Sequence, residues 1–229
     1  MLRQTLIAAA ALSLALPASA ETKSYDMDSF NKISASAGVT VIFEAGDTQS
    51  IIAENKNGNF DRLILKTSGD TLVIGREKTS WFSRKSKQNY TVRISGPAIT
   101  AAGASSGSSV SVNGVTGESV KLTVSSGARL DASKIKADSI SISASSGSSL
   151  SASGACNSAG ISVSSGASID ADDMICAEVE VSASSGSNVT AHATASVDGS
   201  ASSGASVNVV GGATNIEKSR SSGGSVKVS

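Results

Sequence analysis

The stretch Ser139-Ile140-Ser141-Ile142-Ser143-Ala144-Ser145-Ser146-Gly147-Ser148-Ser149-Leu150-Ser151-Ala152 decides the fold. Apolar residues occupy every second position up to Ala144, the triplet Ser145-Ser146-Gly147 interrupts, and the alternation resumes at Leu150 and Ala152. A period of two is the pattern of a strand with one buried face. The triplet is a corner, where Gly is expected to take a positive φ that β-carbon-bearing residues avoid. The phrase recurs: Ser-Ser-Gly ends at Gly107, Gly127, Gly147, Gly166, Gly186, Gly204 and Gly223, at spacings of 20, 20, 19, 20, 18 and 19 residues. Ahead of the triplets stand Val120, Leu122 and Val124, then Ile161 and Val163, then Val179, Val181 and Ala183. Three and five residues past each Gly come pairs such as Val110 and Val112, Leu130 and Ala132, Ile169 and Ala171, and Val207 and Val209.

With 49 serines in 229 residues, the chain invites a reading as disordered linker. A linker has no reason to hold this register, whereas a near-constant period is the mark of a solenoid whose units bury their faces against each other. A unit of this length, at about 3.3 Å per residue, fits two or three short strands and tight corners. One unit per turn, bonded to coils about 4.8 Å above and below, makes an all-β, single-stranded parallel β-helix. Right-handed winding is expected from the rule for parallel crossovers. The triplet serines are read as corner residues that bond local backbone and stack in columns, rather than as nucleophiles, since no base accompanies them.

The two ends of the chain differ from the repeats between them. All seven aromatics (Tyr25, Phe30, Phe43, Phe60, Trp81, Phe82, Tyr90) precede residue 91. Residues 25–95 read as more conventional strands, Ile33 to Phe43 around Ala37-Gly38, Ile51-Ile52, Leu63 to Leu65, Thr71 to Ile74 and Tyr90 to Ile94, with turns at Gly46-Asp47, Asn57-Gly58-Asn59 and Ser68-Gly69-Asp70. They are expected to begin the stack and cover its first open end, followed by repeat turns over 96–229. At the far end Lys218 and Arg220 stand where earlier units are apolar, which blunts a terminal strand. Residues 1–20 have a short basic start at Arg3, an apolar run from Leu6 to Leu16 and the small-residue end Ala18-Ser19-Ala20. That is the pattern of a secretory signal peptide cleaved between Ala20 and Glu21, too short to span a bilayer. The mature chain, 21–229, is expected to be one exported domain, periplasmic or secreted, with no transmembrane segment. Its 18 positive side chains (19 less Arg3) against 19 negative give −1, which argues against a nucleic-acid partner.

The phrase Phe30-Asn-Lys-Ile33-Ser-Ala-Ser-Ala-Gly38-Val-Thr-Val41-Ile-Phe-Glu-Ala-Gly46-Asp47, then Thr71-Leu-Val-Ile74 and the Ser-Gly-centred units, resembles the head GIN domain family of auto-transporter adhesins over roughly residues 25 to 228. The resemblance implies a bacterial envelope domain with a β-helical fold, and no enzymatic activity or cofactor. No run after the repeats reads as the alternating strands of a membrane barrel.

Four sets of residues could carry function. Cys156 and Cys176 each lie ten residues before the next triplet Gly, so they should share a column in adjacent turns, as a disulfide or as two small unbonded thiols. Arg76, Lys78, Trp81, Phe82, Arg84, Lys85 and Lys87 concentrate cations and rings between two strand signals, either a docking loop for glycan, lipid headgroups or another envelope protein, or a solvated hairpin excursion. Asp131 and Asp170, four residues past their glycines, should face outward two turns apart with Ser151 between, and Asp172 and Asp173 lie near. That is about 10 Å, at or beyond the limit for an inverting glycosidase pair, so solvated carboxylates are the simpler reading. His192 stands alone and should lie at the surface. One His and two Cys leave little for a zinc site or a His-based triad. The functional reading is an envelope binding protein, adhesin-like and without cofactor or catalysis, whose ladders of Ser, Asn, Thr and Asp meet glycan or protein. The alternatives are a polysaccharide-active enzyme on the same scaffold and a passive structural solenoid.

Overall fold

The computed structural model describes residues 20–77 and 89–229. It is a β-solenoid of about six turns, and among the described residues there is no helix. Seventeen strands of the described residues form one sheet: β1 (Glu21–Tyr25), β2 (Lys32–Ala35), β3 (Thr40–Ala45), β4 (Ser50–Asn55), β5 (Leu63–Ser68), β6 (Thr71–Arg76), β7 (Thr91–Gly96), β8 (Ala101–Ala104), β9 (Ser109–Asn113), β10 (Thr116–Val124), β11 (Arg129–Ala144), β12 (Ser149–Val163), β13 (Ser168–Ala183), β14 (Asn188–Ala201), β15 (Ser206–Val210), β16 (Asn215–Arg220) and β17 (Ser225–Val228). The residues before each triplet stack in parallel as β6–β2–β8–β10–β11–β12–β13–β14–β16. Those after it stack as β7–β3–β9–β11–β12–β13–β14–β15–β17.

The alternation read from the sequence is the alternation of burial. Leu122, Ile142, Ile161 and Val181 are opposite one another in register and none is more than 3% exposed. Leu130, Leu150 and Ile169 form a matching column on the other side of the corner. Both faces of every interior coil edge are bonded to a neighbour, so stability is a sum of coil-on-coil contacts. Rings fit only near the N-terminal end, where Phe43 lies between Ile94 and Val112 and Phe60 packs 6.4 Å from buried Tyr90.

The order of coils at that end departs from the order in sequence. The coil formed by β2 and β3 lies directly on β8 and β9, and the later β6 and β7 sit outside it. The chain thus builds an inner coil first, steps outward to lay the last one, and returns to continue the stack. The outer edges are then closed by antiparallel strands: β5 on β6, β4 on β7 and β1 on β4. An antiparallel neighbour needs only a short loop, here Gly69-Asp70 between Ser68 and Thr71, so β5 can cover β6 at once. Strand β1 has no sequence signature as a strand because it lies at the edge and its residues Glu21 to Ser24 are exposed.

At the C-terminal end Lys218 and Arg220 occupy the register positions of Gly199 and Ala201, and all of β16 is exposed. Val226 of β17 turns in beneath instead: a β-carbon on Gly199 would come within 2.9 Å of Val226 Cγ1. Small Gly199 and the charged last coil therefore go together.

Candidate functional site

The corners shape the site. In each triplet the second Ser as well as the Gly is left-handed, with φ of 48–57° at Ser106, Ser126, Ser146, Ser165, Ser185, Ser203 and Ser222. Two positive φ values in the middle of a four-residue turn are the signature of type I′. The turn bond closes from Ala128 N to Ser125 O at 3.2 Å and from Ala205 N to Ser202 O at 3.0 Å. The Gly N–H then donates to the second Ser of the next coil, as Gly127 to Ser146 O at 3.1 Å, so the ladder runs through the bend. A β-carbon on any of the seven triplet glycines would meet nothing within 4 Å. Conformation, not space, requires Gly there.

The hydroxyls that bond the bend are not those of the triplet but of the residue after it. Buried Ser108 donates to Ser105 O (2.8 Å) or Ala35 O (3.1 Å), and buried Ser148 to Ser145 O (2.7 Å) or Val124 O (3.2 Å). Alanine alternates with serine in this column: Ser108, Ala128, Ser148, Ala167, Ser187, Ala205.

The triplet serines are left facing outward, and with the residues before them they line a groove of about 630 Å³ along the solenoid. One wall is a row in unbroken register, Ser34, Gly103, Thr123, Ser143, Ser162, Ser182, Ser200 and Ser219. The other wall is the first serine of each triplet, Ser105, Ser125, Ser145, Ser164, Ser184, Ser202 and Ser221. The floor is aliphatic, including Val124, Val163 and Ala183, each no more than 4% exposed, so a ligand meets rows of hydroxyls on the two walls with apolar surface between them. Ser182 and Ser200 lie 3.0 Å apart, Oγ to Oγ. The serine ladder is concave, because the left-handed turn bends the chain just beyond it.

Charge along the rim reverses. Two residues before the hydroxyl row, and so on the same outward face, run Lys32, Ala101, Lys121, Ser141, Gly160, Glu180, Asp198 and Glu217. Lys32 pairs with Asp70 at 2.8 Å, which holds the Asp70 carboxyl below its usual range.

Cys156 and Cys176 are paired in register across β12 and β13 and form a disulfide, with Cα atoms 4.6 Å apart. Cys176 is buried and Cys156 partly so. Asp131, Ser151 and Asp170 do share an outward row. Arg129 approaches Asp131 at 4.0 Å. Partial burial, and then the charge of Asp172 with Asp173 behind it, raise the Asp170 carboxyl above its ordinary range. His192 is half-buried rather than free at the surface, its Nδ1 3.0 Å from Asp172 O. Among the described residues no group of three or more His, Cys, Asp or Glu is placed to hold a metal. Of the cationic-aromatic stretch, Arg76 ends β6 half-buried, while Lys78, Trp81, Phe82, Arg84, Lys85 and Lys87 lie outside the described residues. The groove's signal in the sequence is the Ser or Thr two residues ahead of six of the seven triplets, with Gly103 ahead of the first.

Residues 29–213 match the family model described as "Putative auto-transporter adhesin, head GIN domain". The chain belongs to that family. Two solved structures show its fold elsewhere. A Bacteroides fragilis protein described as a putative adhesin superposes with a TM-score of 0.78 at 16% identity, over 92% of this chain and 97% of that one. A Parabacteroides distasonis protein described as a putative lipid binding protein gives 0.72 at 18% identity, with the same coverage. No curated protein matches the chain.

Proposed function

We propose that residues 21–229 form one exported envelope unit that holds an extended glycan along the serine groove, by binding and without turnover. The hydroxyl row in register carries this reading. Groups repeated at about 4.8 Å offer many weak, equivalent contacts, which suit a polymer better than a small molecule. Backbone groups along the groove are already used in the stacking ladder, so a peptide could not add as a strand there. The hydroxyl rows on both walls favour a polar chain over an acyl chain, while the aliphatic floor can lie against the apolar faces of sugar rings; one structural neighbour carries a lipid-binding name. Asp131 and Asp170 are two coil steps apart with Ser151 between them, which does not favour an acid–base pair acting on one bond. Export rests on the leader-like residues 1–20, with cleavage between Ala20 and Glu21. The stretch from Arg76 to Lys87 is a second contact, where Trp81, Arg84 and Lys85 would anchor a partner at the N-terminal end.

Tyrosine at both Ser162 and Ser182 fills the groove from outside the core. Binding of envelope polysaccharide to the purified chain should be lost in this variant while its unfolding midpoint stays near wild type. Full binding by the filled variant would end the reading.

A further inference from the structure

The rim decides which glycans the groove can hold. From Ala137 to Glu217 the chain has no Lys or Arg but eight carboxylates: Asp138, Asp170, Asp172, Asp173, Glu178, Glu180, Asp198 and Glu217. Three of them, Glu180, Asp198 and Glu217, stack directly opposite one another in adjacent coils. Each stands two residues from a groove hydroxyl, Ser182, Ser200 and Ser219 respectively, and on the same face. Like charges directly opposite on neighbouring strands are destabilising. Among the described residues no ion pair offsets these three. At the other end of the same rim the charges are Lys32 and Lys121, with Lys32 already paired to Asp70. The groove rim is therefore electrically polar along its length, and its acidic stretch makes no ion pair among the described residues; the nearest cations, Lys218 and Arg220, alternate with Glu217 along β16 and take the other face of the strand.

We propose that the occupant is an amino-bearing glycan whose ammonium groups lie along Glu180, Asp198 and Glu217 while its hydroxyls meet the serine rows. This rests on the glycan reading above and adds the charge of the ligand. Sugar residues following the groove pass one carboxylate for each coil they cross, so a chain with regularly repeated amines can meet all three. A uniformly anionic polymer would be repelled over the same stretch.

The test uses oligomers of β-1,4-linked glucosamine and their fully N-acetylated counterparts, titrated against the whole mature chain and two variants. One is the groove-filling pair Ser162→Tyr and Ser182→Tyr; the other is Glu180→Gln, Asp198→Asn and Glu217→Gln. Wild type should bind the amine form more tightly, and added salt should erase the difference. The neutralised variant should lose roughly 10-fold for the amine form, three exposed ion pairs' worth, and nothing for the acetylated form. Its urea midpoint should rise in the absence of ligand, which also shows that it folds. The filled variant should bind neither. Equal wild-type affinity for both forms, with the filled variant inactive, would overturn the charge inference and leave the glycan reading standing. Amine binding that survives in the filled variant would mean simple adsorption to the acidic face, and would overturn the inference as well. Failure of wild type to bind either form would count against both.

Discussion

Replacing Gly147 and Gly154, one at a time, by alanine separates conformational from steric demand within a single coil. Gly147 sits in a corner with φ of +66° and open space around a built β-carbon. Alanine there costs only the left-handed conformation, about 1–2 kcal/mol. Every preceding serine already bears that cost, which shows that the stack tolerates it. Gly154 has φ of +144°, and a β-carbon would fall 2.2 Å from Ile135 O and 2.6 Å from Ile135 N. Those are backbone atoms of the adjacent coil, at the point where the register between β11 and β12 shifts. No side chain can move aside, so the ladder must open and several bonds are lost, a cost above about 4 kcal/mol. Thermal unfolding followed by circular dichroism reads both, and for a chain of this size about 1 kcal/mol moves the midpoint by roughly 2–4 °C. Gly147→Ala should lower the midpoint by a few degrees, while Gly154→Ala should fail to fold or melt far lower. Equal effects from the two substitutions would refute the geometry assigned to both glycines.

Reducing the disulfide, or changing both Cys156 and Cys176 to alanine, should cost about 3 kcal/mol for the loop it closes; the alanine form should then be indifferent to reductant, and a wild type equally indifferent would contradict the bond. Because Asp170 has its carboxyl raised on folding, the folded state holds that proton more tightly than the unfolded chain, and its contribution to stability is lost as pH rises through the folded value. Asp170→Asn should therefore gain stability relative to wild type at neutral pH and show no gain well below the carboxylate range, as urea midpoints at the two extremes would reveal. Ser148→Ala should cost no more than about 1 kcal/mol, since Val124 O keeps its bond from Ser145 N and alanine already fills the same place in alternate coils. A much larger loss would mean that the hydroxyl, not the ladder, sets the corner.

Most of the solenoid could be read from residues because its rule is local. Alternation around Ile140, Ile142 and Ala144 fixes which side chains point inward, and the constant spacing of the glycines fixes which residues stack. Cys156 and Cys176 follow from the same spacing. What alternation leaves open is the identity of a strand's neighbour. Ile33 and Ala35 look equally suited to lie on Leu72 and Ile74 or on Ala102 and Ala104; they do both, and that placement inverts the order of the coils. Strand β1 escaped because a polar edge strand buries too little to leave a pattern. The groove escaped because an outward serine looks the same in sequence whether the surface is flat or concave. Its curvature comes from the second triplet serine, whose left-handed backbone composition gives no reason to expect.

The stack itself can be measured with a ruler. Exposed Ser34 and Ser182 lie in one row, five coil steps apart through residues 103, 123, 143 and 162. Spin labels at the two positions, read by double electron–electron resonance, should give one narrow distribution centred near 24 Å, about 4.8 Å for each step, broadened only by the label arms. A broad distribution, or a peak at a clearly different separation, would contradict coils stacked in this register.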